Sequence, residues 1–321
     1  MAIATKHKDV DVEDSRDTKV SINEKSPWKE TLVALPWLAP TLLLIAGVVL
    51  VPVALLVYFS FIKFNRYGIE QGFAGFDNYV GKSGALTFPT VPVGRIVVNT
   101  VVWVVVVVAV TVILSLLLAQ FLNKNFRYRK IIRLFVILPW ASSVVMTTTV
   151  FNYGLQTDVG LFNRLFVNTG ILEKAYGFTK DPVSAFWVAV FVAVYVSLPF
   201  TTYTILAGLQ AVPQDAIEAA HVDGAGPWER YWHIVLPTLR PAIAVAALIN
   251  IINVFNSLPI LQILNETPGY NAGMITTTLV FEYKSQLGPG VASALSVLNF
   301  MFCLVIVAVY LAVVKPTKEV D

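Results

Sequence analysis

Six apolar runs, each long enough to cross a lipid bilayer, constrain the fold of this chain more than any other feature. They are Thr31–Phe61, Ile96–Leu122, Ile131–Tyr153, Ser184–Leu209, Ala242–Leu264 and Val291–Val314. Because hydrocarbon offers no partner for backbone N–H and C=O groups, each run has to close its own hydrogen bonds as a helix. The chain is 56% hydrophobic and only 13% charged, which is far from the composition of a soluble domain. The sequence therefore predicts an all-α integral membrane protein with six transmembrane helices.

The beginning of the chain differs in composition from the apolar runs. Residues 1–30 hold six basic and seven acidic side chains with little periodic apolar content. Such a segment cannot bury enough apolar surface to fold by itself, so we expect a disordered tail. We therefore divide the chain into a tail over residues 1–30, a transmembrane domain over residues 31–316 and a short C-terminal end over residues 317–321.

The distribution of basic residues predicts how the helices are oriented. The short turn between the second and third runs collects five of them: Lys124, Arg127, Arg129, Lys130 and Arg133. Positively charged short loops stay in the cytoplasm, so we place this turn inside. Alternation through six helices then puts both termini and residues 210–241 in the cytoplasm. The same alternation puts the loops Ile62–Arg95, Gly154–Val183 and Asn265–Gly290 outside.

Residues 210–241, between the fourth and fifth runs, are expected to form two short helices joined by a turn. Proline at 213 and Gly224 suit the two ends of a first helix over Gln214–Asp223, and Pro227 and Pro237 are expected to begin and end a second. In the second helix one face collects Trp228, Tyr231, Trp232 and Val235. We expect this aromatic face to pack at the membrane interface or on neighbouring helices rather than to bind a ligand.

The same segment resembles the EAA loop of ABC importer permeases. The pattern is Glu218-Ala219-Ala220, three residues, Gly224, nine residues, then Ile234, any residue and Leu236-Pro237. Other stretches are similar to the carbohydrate-uptake branch of that family, the maltose and glycerol-3-phosphate type. They are the segment Gly72–Val80 with the letters GFAGFDNYV, Asn99-Thr100, Pro139-Trp140 and Gly160-Leu161-Phe162-Asn163.

The resemblance implies a transmembrane subunit that forms half of the pathway for uptake of a carbohydrate or carbohydrate-like solute. It implies that residues 210–241 dock in a cleft of an ATPase subunit, where Glu218 accepts charge-assisted hydrogen bonds and Gly224 makes the tight turn. The coupling residues implied are Glu218, Ala219, Ala220, Asp223, Gly224, Ile234, Leu236 and Pro237.

The resemblance also implies partners. They are a second, related permease subunit in a heterodimer, two ATPase subunits that use ATP and Mg, and an extracytoplasmic solute-binding protein. The assembly would lie in a prokaryotic cell membrane, surrounded by lipid. No cofactor is expected on this chain, and no nucleic-acid partner is expected.

The fifth run carries a candidate solute site. Asn250, Asn253 and Asn256 recur every three residues and Ser257 follows the last. Amides at bilayer depth are costly unless they find partners or water. Two interpretations stay open: hydrogen bonds that join helices, or a polar stripe along the translocation pathway.

Other function classes find little support in the residues. No motif for catalysis is present, and His7, His221 and His233 do not have metal-ligand spacing, so we predict no catalytic and no metal site. The alternative is a gradient-driven secondary transporter or channel. Such a protein generally needs charged groups at depth, and the runs hold none away from their ends except Arg133.

Overall fold

The computed structural model describes residues 27–65, 67–266, 271 and 273–314. The predicted tail, as far as residue 26, and the predicted C-terminal end therefore lie outside the described residues. The chain divides into two compact units, residues 1–53 and residues 54–321.

The first predicted span is helical but not uniformly so. It consists of α1 (Pro27–Ile45), a π-helical turn (Ala46–Leu50) and α2 (Val51–Ser60). At the end of the wide turn the Val51 N–H donates to the Ala46 carbonyl, five residues back. Proline at 52 has no N–H and its ring crowds the carbonyl four residues earlier, so a wider turn accommodates it. The irregular turn of this span thus lies directly before Pro52.

A small hairpin follows in the loop after α2 and was not predicted. Strands β1 (Ile62–Phe64) and β2 (Glu70–Phe73) pair antiparallel, and the short helix α3 (Asp77–Val80) comes next. Within the GFDNYV stretch, the buried Asn78 amide donates to the Ser60 carbonyl at 2.9 Å, and the Tyr79 hydroxyl donates to the Ser60 hydroxyl at 2.7 Å. These bonds fasten the loop to the end of α2.

The remaining helices agree with six spans. In chain order they are α4 (Val93–Asn123), α5 (Arg129–Ala141), α6 (Val144–Gly154), α7 (Leu161–Asn168), α8 (Pro182–Gln210), α9 (Gln214–Val222), α10 (Pro227–Arg230), a π-helical turn (Tyr231–Val235), α11 (Leu236–Phe255), α12 (Leu258–Leu264), α13 (Thr276–Gln286) and α14 (Pro289–Val314). Within the described residues, five helices are long and apolar enough to cross a membrane, and a sixth span results if the bent pair α5 and α6 counts as one. The all-α membrane fold is confirmed.

Two of the predicted spans are broken. The third, Ile131–Tyr153, bends by 95° between α5 and α6, where Ser142 and Ser143 have extended backbones. The fifth, Ala242–Leu264, is interrupted at Asn256 and Ser257, before α12 begins. Each break has a proline within three residues, and a proline removes a backbone donor and restricts the residue before it.

The prediction that Pro237 ends the second helix of residues 210–241 is wrong. The helix that starts at Pro227 continues through a π-helical turn and both Pro237 and Pro241 to Phe255. The Leu236 N–H donates to the Tyr231 carbonyl, five residues back, as happens before Pro52. The wider turn again accommodates a proline without ending the helix.

The core of the second unit lies between α4, α8 and α11. Trp103 on α4 is fully buried, and its indole N–H donates to the Val254 carbonyl of α11 at 2.9 Å. Small residues such as Ala189 and Ala193 on α8 belong to the same cluster and allow close approach of the helix backbones. The interlocked helices position the segments described next.

Candidate functional site

The Glu218 side chain lies on the exposed surface of α9. Its Oε1 accepts a hydrogen bond from the Gln214 amide at 3.3 Å, one turn earlier on the same helix. Ala219 and Asp223 are also exposed, and Ala220 is half-buried. The carboxylate therefore keeps acceptor capacity for a partner outside this chain.

Gly224 ends α9 in a left-handed conformation, with φ at +84°. The Ala225 N–H donates to the Ala220 carbonyl at 2.9 Å and the Gly224 N–H donates to the His221 carbonyl at 3.1 Å. This pair of bonds is the Schellman motif, which satisfies the last carbonyls of a helix and reverses the chain. A Cβ at position 224 would meet no atom within 4 Å, so the demand for glycine within this chain comes from the backbone angle.

The helix that begins at Pro227 is too long to lie wholly within hydrocarbon. It runs for 29 residues to Phe255. At ~1.5 Å per residue this is about 43 Å, whereas ~20 residues cross the hydrocarbon core. We assign the surplus of about nine residues to the end that follows α9, up to Val235, because it carries Glu229, Arg230 and His233, which hydrocarbon disfavours.

Aromatic rings cover one side of this extension. The rings of Trp228 and Trp232 lie 5.7 Å apart between centroids, and Tyr231 and Trp232 lie 5.8 Å apart. Trp228 is 73% exposed, so the predicted packing on neighbouring helices does not occur for that ring within the described chain. Tyr231 does pack inward, because its hydroxyl accepts a hydrogen bond from the Gln120 amide of α4 at 2.9 Å.

The base of the extension is anchored in the bundle. Ile234, Leu236 and Pro237 are half-buried, and the next turn places Leu239 in full burial. Leu239 belongs to a cluster with Leu122 at the end of α4 and with residues near the end of α8. The base of the projecting segment is therefore packed against α4 and α8, so that the segment can move together with these helices.

The two asparagines of α11 and Asn256, which directly follows this helix, have different surroundings. Asn250 is buried, and its amide donates to the Thr201 hydroxyl of α8 at 2.7 Å and to the Ala246 carbonyl at 2.9 Å. Asn253 is exposed and, together with Ser257, lines a cavity of about 530 Å³. Asn256 lines a second cavity of about 440 Å³ that also contains Asn299. The structure therefore places the four residues in two cavities rather than along one stripe.

The cavity that contains Asn253 lies where both broken helices are interrupted. Trp140 and Val144 line it from the two sides of the break in the third span, and Ser257 and Pro259 line it at the break in the fifth. Irregular backbone at membrane depth is tolerated where protein buries it or where it lines a water-filled cavity. This convergence was not predicted from the sequence, although Pro139, Ser142-Ser143 and Pro259 indicate where the two helices break.

The lining of this cavity supports binding rather than reaction. It offers amides at Asn250 and Asn253, hydroxyls at Ser197 and Ser257, and the indole of Trp140. Among the residues that the structure describes, no three His, Cys, Asp or Glu side chains are grouped to hold a metal ion. Hydroxyl and amide groups with an aromatic wall suit a polar, uncharged solute.

Comparison with known proteins identifies the family. The profile of the binding-protein-dependent transport system inner membrane component family matches residues 111–313. The chain belongs to this family. It is a multi-pass inner-membrane permease subunit of an ABC importer, and it is a transport subunit rather than an enzyme.

Similar proteins match this chain over most of its length. A probable ABC transporter permease protein of Brucella suis is 31% identical over 281 residues, covering 87% of this chain and 96% of that protein. The trehalose/maltose transport system permease protein MalF of Thermococcus litoralis is 30% identical over 300 residues, covering 91% and 97%. A chain of a bacterial alginate ABC transporter, crystallised with an alginate pentasaccharide-bound periplasmic protein, has the same fold with a TM-score of 0.75 at 21% identity, covering 92% of this chain and 100% of that one.

Proposed function

We propose that this permease forms half of the pathway for a carbohydrate or carbohydrate-like solute. The observation that carries the proposal is the cavity at the two helix breaks, where amides, hydroxyls and an indole ring face a space of about 530 Å³. A sugar presents hydroxyls for such amides and a ring face for such an indole. The names of the similar permease MalF and of the alginate transporter agree with a saccharide solute.

Within this cavity we assign solute contact to Asn253 and Ser257. They lie four residues apart on either side of the end of α11, and both line the cavity. Asn250 lines it too, but its amide already bonds Thr201, so its main role in this proposal is to hold α11 against α8. Asn256, in the other cavity, is no longer assigned to solute.

We propose that α9 and residues 227–235 couple this pathway to ATP hydrolysis. Glu218 would accept charge-assisted hydrogen bonds from an ATPase subunit, and the exposed rings of Trp228 and Trp232 would be covered by it. The anchored base carries the movement into α11, whose far end borders the solute cavity. ATP and Mg would be held by the ATPase subunits, and this chain would bind neither.

The proposed assembly needs further subunits. One chain supplies one set of spans, so a second related permease completes the pathway as a heterodimer, with two ATPase subunits inside and a solute-binding protein outside. The basic turn over residues 124–133 supports a topology with both termini and residues 210–241 in the cytoplasm of a prokaryotic cell. In this proposal residues 1–30 are a cytoplasmic tail, residues 31–316 the transmembrane domain and residues 317–321 the C-terminal end.

The coupling role of Glu218 is tested by removing its charge. Glu218→Gln and Glu218→Ala are compared with Glu173→Gln and Glu173→Ala, which are matched controls because Glu173 is an exposed glutamate outside the coupling segment. Loss of one charged hydrogen bond costs about 1.5–3 kcal/mol, so ATPase-subunit affinity should fall by about 10- to 100-fold for the Glu218 variants only. Binding and transport at control levels in Glu218→Ala would contradict the assignment.

A further inference from the structure

A cavity at the outer end of α8 is separate from both sites described above. It measures about 780 Å³ and lies between α7, the first turns of α8 and the end of α6. Seven aromatic rings contribute to its wall: Phe151, Phe162, Phe166, Tyr176, Phe178, Trp187 and Phe191. Its volume lies within the range of about 300–1,000 Å³ that is usual for small-molecule sites.

The aromatic wall is held in place by hydrogen bonds of the surrounding loop. The buried Asn163 of α7 donates to the Leu155 carbonyl at 2.8 Å and to the Tyr176 carbonyl at 2.7 Å, and the Tyr176 N–H donates back to Asn163 at 3.0 Å. Rings within the wall also contact one another, with 4.9 Å between the centroids of Tyr176 and Phe178. The cavity is therefore a built feature of the second outer loop.

The wall is mostly aromatic, and two of its polar residues, Asp181 and Ser184, are bonded within the chain. The Ser184 N–H donates to the Asp181 carboxylate at 2.8 Å, and the Ser184 hydroxyl donates to the Phe178 carbonyl at 2.7 Å. A sugar or a peptide in this cavity would leave its own polar groups without adequate partners, at a cost of about 1–3 kcal/mol for each. The occupant that fits this wall is an apolar chain.

The mouth of the cavity opens on the lipid side of α8. Val183, Trp187 and Phe191 line the cavity and are more than half exposed, whereas Ala185 and Ala189 on the opposite face are buried. Because α8 is a membrane span and this is its outer end, the exposed apolar face meets hydrocarbon near the outer interface.

The short helix α7 gives a second indication of lipid. Its Leu161 is 70% exposed and its Leu165 is 53% exposed, and this pair lies about 100° round the helix from the cavity residues Phe162 and Phe166. Apolar side chains on the outer side of an exposed amphipathic helix are typical of a helix that lies in the membrane interface.

We propose that this cavity binds one acyl chain of a membrane phospholipid between α7 and α8. The lipid tails around the protein are as apolar as the cavity wall. The preference of an acyl chain for the cavity therefore comes from packing against fixed rings, and not from transfer of the chain out of water. The bound chain fills the space beneath α7 and steadies the outer loop. This site is independent of the solute and coupling proposals.

The test uses the complete importer in nanodiscs with a phospholipid that carries a diazirine near the start of one acyl chain. After photolysis, adducts are mapped by mass spectrometry. The reference position is Val98, 59% exposed and five residues into α4, as Trp187 is five residues into α8. Adducts on the cavity rings should exceed those at Val98 by about three- to tenfold, which corresponds to ~0.6–1.4 kcal/mol of preferential packing.

A filling variant provides the specific control. Val188→Trp places bulk inside the cavity and should reduce the excess of adducts to the Val98 level, whereas Val98→Trp should leave it unchanged. Adducts on the wild-type cavity rings at or below the Val98 level would overturn the proposal, including the case in which another subunit covers the cavity. An excess that survives in a correctly assembled Val188→Trp complex would overturn it as well.

Discussion

Replacing Asn250 should lower the stability of the complex, whereas replacing Asn253 should lower its affinity for the solute. The two residues have the same side chain and lie one helical turn apart. Asn250 is 3% exposed and bonds the Thr201 hydroxyl across the interface between α11 and α8. Asn253 is exposed in the cavity and donates no hydrogen bond to the part of the chain that the structure describes.

The magnitudes follow from these surroundings. Hydrogen bonds between membrane helices average about 0.6 kcal/mol and reach ~1.7 kcal/mol, so Asn250→Ala should cost about 1–2 kcal/mol once the small void is included. Asn253→Ala should change the stability of the complex by less than about 0.5 kcal/mol. If Asn253 bonds a solute hydroxyl, its loss is worth about 0.5–1.5 kcal/mol, which raises the half-saturating solute concentration about two- to tenfold.

Two assays on the reconstituted importer separate these effects. The survival of the assembled complex after heating, followed by size-exclusion chromatography, reports stability, and uptake at varied solute concentrations reports affinity. Thr201→Val is a matched control for Asn250→Ala, because it removes the hydroxyl that accepts this bond. The assignment is refuted if Asn253→Ala lowers stability without changing concentration dependence, while Asn250→Ala does the opposite.

Three further predictions concern the coupling segment and the topology. Gly224→Val should reduce transport without preventing membrane insertion, since a β-branched residue resists a φ of +84°, and Gly224→Asn should retain more transport because asparagine tolerates left-handed backbone; equal transport by the two variants would contradict this. Tyr231→Phe removes the bond from Gln120 and should lower the solute moved per ATP hydrolysed, with ATPase-subunit binding unchanged; an unchanged ratio would remove any coupling role for this bond. In a cysteine-free background, a cysteine at the exposed Ser83 should react with an impermeant thiol reagent added outside and one at the exposed Gln214 should not; the reverse pattern would invert the topology.

The spans could be predicted because their physical cause is simple. Length and apolarity alone require helices in hydrocarbon, and α4, α8 and α14 begin and end within three residues of their predicted bounds. The breaks could not be predicted in this way, because one proline, such as Pro139 or Pro259, hardly changes the mean hydropathy of a membrane-length segment. The consequence of a proline also depends on its neighbourhood, since Pro237 is accommodated within a helix by a π-helical turn.

The candidate sites could also be predicted only in part. The end of α9 at Gly224 was predictable, because a left-handed residue after a helix favours glycine. The stripe of asparagines was less predictable, because each step of three residues turns the helix by about 300°, and two steps separate Asn250 from Asn256 by about 120°. Which neighbour each amide meets is decided by tertiary packing, which one sequence does not contain.

We expect this permease to move a carbohydrate at the expense of ATP hydrolysed by partner subunits. The most direct measurement is uptake of radiolabelled saccharides into proteoliposomes that contain the full importer, with its solute-binding protein added outside and ATP enclosed. We predict uptake of at least one saccharide that requires enclosed ATP, stops in the Glu218→Ala complex and is unaffected by collapsing proton and sodium gradients. Uptake without ATP that follows an ion gradient, or ATP-driven uptake of only non-saccharide solutes, would contradict the account.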